Sequence, residues 1–303
     1  MIYIFAIFIL VSLVGLSFKN IKNIDNEALT LERTTMINGF FVGLVLFSHF
    51  NSYVITNSSI DSIYYFIFKM GQLMVTTFLF YSGYGIYESI KNKKNYINKF
   101  FKNRVVKLFV SVFLALILYI VLNIIIGEEY SIKTILLSPI GLTSIGNSNW
   151  FIFATFCMYF SVLISFKIFK KDNLSALLLC LILSFGYIFL VMKFLGYSWW
   201  VDTILCFNAG MFFSYFKESI LCFVLIIVLI SLKVKIGNKV LLWLGKNTFN
   251  IYILQRLSYI LYQYLGLANY NIYLYFGVSV LTTIVLTYFF DKILKKVYKL
   301  VIK

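Results

Sequence analysis

Apolar runs of roughly 17 to 25 residues, separated by short lysine-rich stretches, repeat along nearly the whole chain, and such a run is what an α-helix needs to cross a bilayer. Strands of a membrane barrel would instead be shorter and alternate in polarity. The runs are Met1–Phe18, Met36–Tyr53, Ile63–Tyr87, Val105–Ile126, Trp150–Phe166, Leu174–Met192, Trp199–Phe216, Asn247–Leu265 and Ile272–Phe290, with a shorter apolar segment at Ser219–Leu232. They predict an all-α, polytopic transmembrane helical bundle of about nine or ten membrane-embedded helices. Met1–Phe18 lacks a basic leading region and a small-residue cleavage site, so it reads as a retained helix and not as a signal peptide.

The polar connections set the topology. Lys91, Lys93, Lys94, Lys99, Lys102, Arg104 and Lys107 crowd into one loop, which the positive-inside rule places in the cytoplasm, together with the Lys19–Thr35 connection. Glu128, Glu129 and the turn Gly146-Asn147-Ser148-Asn149 fall in an outer loop. Between Lys171 and the basic stretch Lys233–Lys246 there are three apolar segments, and two loops on one side need an even number of crossings. A re-entrant half-span near Asp202–Leu232, where Asp202, Asn208, Lys217 and Glu218 break the apolarity, restores the parity. The tail, with Lys292, Lys295, Lys296, Lys299 and Lys303, then lies on the side of the Lys233–Lys246 loop, the cytoplasm.

Composition agrees with this pattern: 61% hydrophobic, 20% aromatic and 13% charged residues, with a mean hydropathy of +0.91, exclude a soluble globular domain. The net charge of +16 sits in the loops and reads as membrane topology, not as a nucleic-acid surface. Cys157, Cys180, Cys206 and Cys222 lie inside apolar runs without CxxC spacing, so neither a disulfide framework nor a metal site is expected. Without a linker, low-complexity segment or repeat, residues 1–303 read as one membrane domain.

The stretch MINGFFVGLVLFSHFNSY, Met36–Tyr53, carries the only histidine of the chain, His49. Asn38, Val42, Val45 and His49 share one helical stripe, with Asn38 and His49 about 16 Å apart along it. Gly39 and Gly43 have the small-xxx-small spacing that admits a neighbouring helix. An ionisable group at membrane depth is costly and points to function.

NGFFVGLVLFSHF, then FLFYSGYGIY, FFKNRVVKLF, SNWFIFATF and LGKNTFNIYILQ follow one another in an order and spacing that resemble the acyltransferase 3 family of membrane O-acyltransferases, from about Arg33 to about Leu265. The resemblance implies a bacterial cytoplasmic-membrane enzyme that moves an acetyl or similar short acyl group from acyl-CoA to a hydroxyl of a surface polysaccharide or its lipid-linked precursor. His49 suits the general base, because a neutral imidazole can take the hydroxyl proton during attack on the thioester. Arg104, matching the family's basic motif, would hold the CoA phosphates, with Lys107 and Lys102 as weaker versions of the same case. Ser82, in an SGY tripeptide resembling the family's SGF, would donate to the thioester oxygen or to the acceptor.

Two positions depart from the family. Asn38 stands where a basic residue is usual, and an amide cannot neutralise a phosphate; Arg33, near the same helix end, is the substitute. Gln255, followed by Arg256, stands where the family often has a second histidine, which leaves His49 alone as the base. On the outer side Asn149 and Trp150 suit a sugar, by amide hydrogen bonds and ring stacking, while Asp202 could orient His49 or bind acceptor hydroxyls. The same residue types also serve as helix caps and interfacial belts. An exporter of a lipid-linked sugar or small molecule is the rival function; it calls for paired broken helices in two related halves, which the chain lacks. Oligomeric state is not legible.

Overall fold

A computed structural model describes residues 2–18, 30–53, 71–216, 234–236 and 238–301. The described residues form ten principal helices: α1 (Ile2–Leu13), α2 (Leu31–Phe50), α3 (Gly71–Asn92), α4 (Tyr96–Ile126), α5 (Trp150–Ile168), α6 (Asn173–Phe194), α7 (Leu205–Phe216), α8 (Lys239–Lys246), α9 (Thr248–Tyr264) and α10 (Ile272–Val301). All except α8 have twelve residues or more, and α4, α5, α6 and α10 are long and apolar enough to cross a membrane. Their outward faces carry bare apolar side chains such as Ile124, Phe189 and Leu281, which water would not tolerate in such number and lipid would. The molecule is a helical membrane bundle.

The expected spans correspond to helices with two revisions. The seven basic residues of the Lys91–Lys107 stretch are mostly helical and not in a loop: α4 starts at Tyr96, and residues Phe101–Val106 form a π-helical turn within it. Lysine and arginine stems reach past a helix end into a polar layer, so a helix can outrun its apolar run. The same holds for α10, which continues from the apolar run ending at Phe290 through Lys292, Lys295 and Lys296 to Val301. The segment expected as Trp199–Phe216 reduces to a single 3₁₀ turn at Ser198–Trp200 and the twelve-residue α7. At 1.5 Å per residue α7 is roughly 18 Å long, short of a bilayer. The run Ser219–Leu232, most of the polar stretch after Tyr53 and the start of the Ile63–Tyr87 run lie outside the described residues.

Close helix contacts are made where glycine removes the side chain. Gly39 of α2 faces the backbone of Leu241 and Gly245 of α8, and Gly245 in turn faces Thr35, so two backbones touch where any Cβ would collide. Gly83 of α3 and Gly210 of α7 make the equivalent crossing against Phe207 and Phe80. The expected approach of a neighbouring helix is made at Gly39, while Gly43 faces the ring of Phe8 in α1.

Besides the helices there is one short antiparallel ladder, β1 (Leu16–Phe18) with β2 (Val234–Ile236), in the register Ser17 opposite Lys235. It ties the chain just before the Lys19–Thr35 connection to the chain just before α8. The α2–α8 contact does the same from the other side, so the start of α2 and α8 with its Lys239 and Lys246 share one end of the bundle. At that end Tyr298 of α10 donates to the carbonyl of Lys107, which brings the basic tail there too. Lys91 is tied down at this end of α3, paired with Glu88 at 2.8 Å and donating to the Ser214 carbonyl of α7 at 2.9 Å.

Candidate active site

Two cavities lie along the seam between α2, α3, α5 and α9. The first, about 400 Å³, is at the basic end and is lined by Asn38 of α2, Ser82 of α3, Arg104 and Lys107 of α4, and Lys246 of α8. The second, about 640 Å³, is lined by His49 with Ser48, Gln72, Thr76, Trp150, Asp202 and Thr203. They stand back to back. On α3, Val75 and Thr76 face the histidine cavity, while Phe78, Leu79 and Ser82 face the basic one, and two residues of helix advance only about 3 Å. On α5, Trp150 and Phe151 divide in the same way.

A layer of aromatic rings separates them. Tyr252 of α9 and Phe151, both on the basic cavity, have ring centroids 5.1 Å apart, and Phe78 stands edge-on to Phe151 at 6.5 Å. The Tyr252 ring meets the His49 ring at 5.6 Å. His49 is therefore one ring away from the basic cavity.

His49 occupies the last turn of α2. Its Nδ1 is 2.8 Å from Nε2 of Gln255, a residue of α9 with no exposed surface. The Gln255 amide also donates to the Tyr252 carbonyl at 3.2 Å, one helical turn back. Nearby, Tyr259 donates to the Leu46 carbonyl at 3.0 Å, and Arg256 Nε donates to the Tyr53 hydroxyl at 2.9 Å. Together these bonds lock the end of α2 against α9. Arg256 also donates to the Asn147 carbonyl, which pins the 144–149 turn beside the site.

Arg104 sits on the π-helical turn and donates from Nε to the Tyr96 hydroxyl at 3.1 Å, which aims the guanidinium. A π turn shifts the helical phase of the residues it contains and recurs at functional sites. Lys107 lies over the Tyr298 ring at 5.5 Å.

Of the residues singled out in the sequence, His49, Trp150 and Asp202 come together around one cavity, and Arg104, Lys107, Asn38 and Ser82 around the other. Ser82 thus stands on the cationic side and away from Trp150. Arg33 is buried in the first turn of α2, where its backbone N–H meets the capping Thr30 hydroxyl, and it lines neither cavity. Asn149 begins α5 and also lines neither. Asn147 is spent on its own turn, accepting from the Ile145 backbone N–H at 3.0 Å. Gln72, Thr76, Thr203 and Lys246 were not foreseen as site residues, although Gln72 and Thr76, four apart in an apolar run, already share a helix face.

A polytopic helical bundle with a cationic cavity at one end and a lone histidine behind it suits chemistry carried out across a membrane. Comparison with protein families gives a match to the acyltransferase domain of the acyltransferase 3 type over residues 36–221, more than half of the chain, and the protein belongs to that family. The protein is accordingly a membrane acyltransferase. The matched residues include His49, Ser82, Arg104, Trp150 and Asp202, and they end before α8 and α9, the source of Lys246, Tyr252 and Gln255. Comparisons with curated proteins and with solved structures return no match.

Proposed function

We propose that the protein transfers an acetyl or similar short acyl group from acyl-CoA, bound at the basic cavity, to a hydroxyl of a glycan or lipid-linked sugar in the histidine cavity. The observation that carries this reading is the placement of the two cavities back to back, cations in one, His49 in the other, and a single aromatic layer between them. It rests also on family membership.

The donor's phosphomonoester and diphosphate are anionic groups that need fixed cations, and Arg104, Lys107 and Lys246 supply three at one mouth. Asn38 does not add to that charge. Its Oδ1 is buried without a hydrogen-bond partner among the described residues, which makes it an acceptor for an amide N–H of the donor's pantetheine arm. The amide at this position then recognises the arm, and the cations of α4 and α8 recognise the phosphates.

On the other side Trp150 offers an apolar ring face, and Asp202, Gln72 and Thr76 offer hydrogen bonds to hydroxyls. Thr203, 3% exposed, has a hydroxyl without a partner among the described residues on the same wall. His49 takes the acceptor hydroxyl's proton as the oxygen attacks the thioester carbonyl. The new C–O bond forms, the C–S bond breaks, and the thiolate leaves to be protonated. Ser82, on the donor side, is placed to donate to the developing oxyanion. The basic end faces the cytoplasm of a bacterial cell by the positive-inside rule, the donor enters there, and the acceptor is met from outside.

Membranes containing the protein, supplied with radiolabelled acetyl-CoA, test this directly. Label enters glycan with the wild type and not with His49→Ala. Equal labelling by both proteins would sink the assignment of His49, and absence of any labelled glycan would leave the exporter reading in its place.

A further inference from the structure

Neutral imidazole carries one proton, and the partner of one ring nitrogen decides where it sits. At His49 that partner is Gln255, through a hydrogen bond between Nε2 of the amide and Nδ1 of the ring, 2.8 Å long. The second amide hydrogen is committed to the Tyr252 carbonyl. With the amide turned this way its NH₂ group can only donate, which leaves Nδ1 as the bare nitrogen and puts the proton on Nε2. In that form the nitrogen left to the cavity is a donor, and it cannot take a proton from a hydroxyl. The other half of the same amide, Gln255 Oε1, is buried without a hydrogen-bond partner among the described residues. A buried carbonyl left unsatisfied costs about 1–3 kcal/mol, so its idleness calls for an explanation.

We propose that Gln255 is a positioning residue that sets the tautomer of His49, holding it as the Nε2–H donor at rest and, by turning its amide over, as the Nδ1–H base. The proposal rests on the catalytic reading of His49 given above. A half-turn about the Cγ–Cδ bond exchanges Oε1 and Nε2 at the expense of the bond to the Tyr252 carbonyl, so the idle carbonyl comes to accept from Nδ1–H and the lone pair of the ring Nε2 is freed toward the cavity. The proton of the acceptor hydroxyl then moves to Nε2, and the resulting imidazolium keeps its Nδ1–H on the Gln255 carbonyl until the thiolate carries the proton away. Aspartate fills this orienting place in other histidine-dependent acyl transfers, as an acceptor only. Glutamine differs in that it can serve both tautomers without bringing a charge into the membrane. Gln255 lies 206 positions from His49 and touches it only through the packing of α9 on α2.

The protein offers an unusually direct test, because His49 is its only histidine. The full chain, purified through an affinity tag without histidine and labelled with ¹⁵N-histidine, gives one imidazole in the nitrogen NMR spectrum. At about pH 8, above the ordinary imidazole range, the wild type is expected to show a protonated Nε2 and a bare Nδ1. Gln255→Glu, which presents only acceptor oxygens, is expected to reverse the two signals and to keep acyl transfer. Gln255→Leu is expected to give a mixture of tautomers and to lower transfer about tenfold or more, with the fold checked by chromatography and melting. The same tautomer in wild type and Gln255→Glu would overturn the proposal, and so would a Gln255→Leu spectrum unchanged from wild type. The spectrum needs no turnover. A reversed tautomer in Gln255→Glu, combined with a fully active His49→Ala variant, would uphold the control by Gln255 and overturn the catalytic role of His49.

Discussion

His49 and Tyr252 stand with ring centroids 5.6 Å apart, and each lines a different cavity. That contact is part of the wall between the cationic end of the bundle and the histidine cavity. Any acyl group passing from one to the other must go through or around the Tyr252 ring.

The first prediction concerns that wall. Tyr252→Phe keeps the ring and should leave transfer within about threefold of wild type. Tyr252→Ala should raise hydrolysis of acyl-CoA in the absence of acceptor, because water gains the path that the ring closes. Parallel assays of free thiol release and of glycan labelling decide it, and unchanged hydrolysis in the alanine variant would argue that the acyl group takes another route.

The second concerns the donor. Arg104→Ala and Lys246→Ala should each raise KM for acyl-CoA by about tenfold, the equivalent of about 1.4 kcal/mol, with a smaller change in kcat. The effect should shrink as salt is raised, since mobile ions screen charges near water. A titration of acyl-CoA at two ionic strengths measures both. Lys91→Ala is the control: Lys91 is paired with Glu88 and lines neither cavity, and its loss should leave the donor KM unchanged.

The third separates the acceptor side. Trp150→Ala and Asp202→Asn should weaken acceptor use, by about tenfold in kcat/KM, while donor binding stays at the wild-type level. Equilibrium binding of acyl-CoA beside transfer kinetics on a soluble acceptor distinguishes the two effects. A parallel loss of donor binding would mean that the cavities are not functionally distinct.

The fourth concerns packing. Gly245→Val puts a branched side chain against the Thr35 backbone and should separate α8 from α2, costing on the order of 1–3 kcal/mol and moving Lys246 from the donor cavity. Gly277→Ala, where an added Cβ meets nothing within 4 Å, should be neutral. Melting temperatures in detergent for the two variants provide the comparison.

Much of this was legible in the residues alone. The helices follow from uninterrupted apolar length, since a backbone in hydrocarbon has to satisfy its hydrogen bonds within the segment. His49 stood out as the single imidazole on a helix whose other polar positions are few. Arg104 and Lys107 announced a basic surface but not its shape. The π turn that presents Arg104 carries no pattern a reader could separate from ordinary helix, because it differs by one residue in the hydrogen-bond ladder. The ladder of Leu16–Phe18 with Val234–Ile236 is three residues long, too short for any periodicity to register, yet it joins two segments more than two hundred positions apart.

By itself, then, the sequence determined that the chain is a helical membrane protein, that its charge gathers in a few stretches, and that one histidine carries whatever proton chemistry an imidazole is to do. Apolar length and charge are properties of neighbouring residues, and the bilayer acts on them directly. Which side chains share a cavity was decided only in the tertiary structure. Asp202 shares a cavity with His49, Lys246 shares one with Arg104, and Gln255 bonds His49 because helices far apart in the chain pack in one order out of many, through glycine crossings and buried hydrogen bonds. Those contacts depend on how whole helices fit, and no local pattern encodes them.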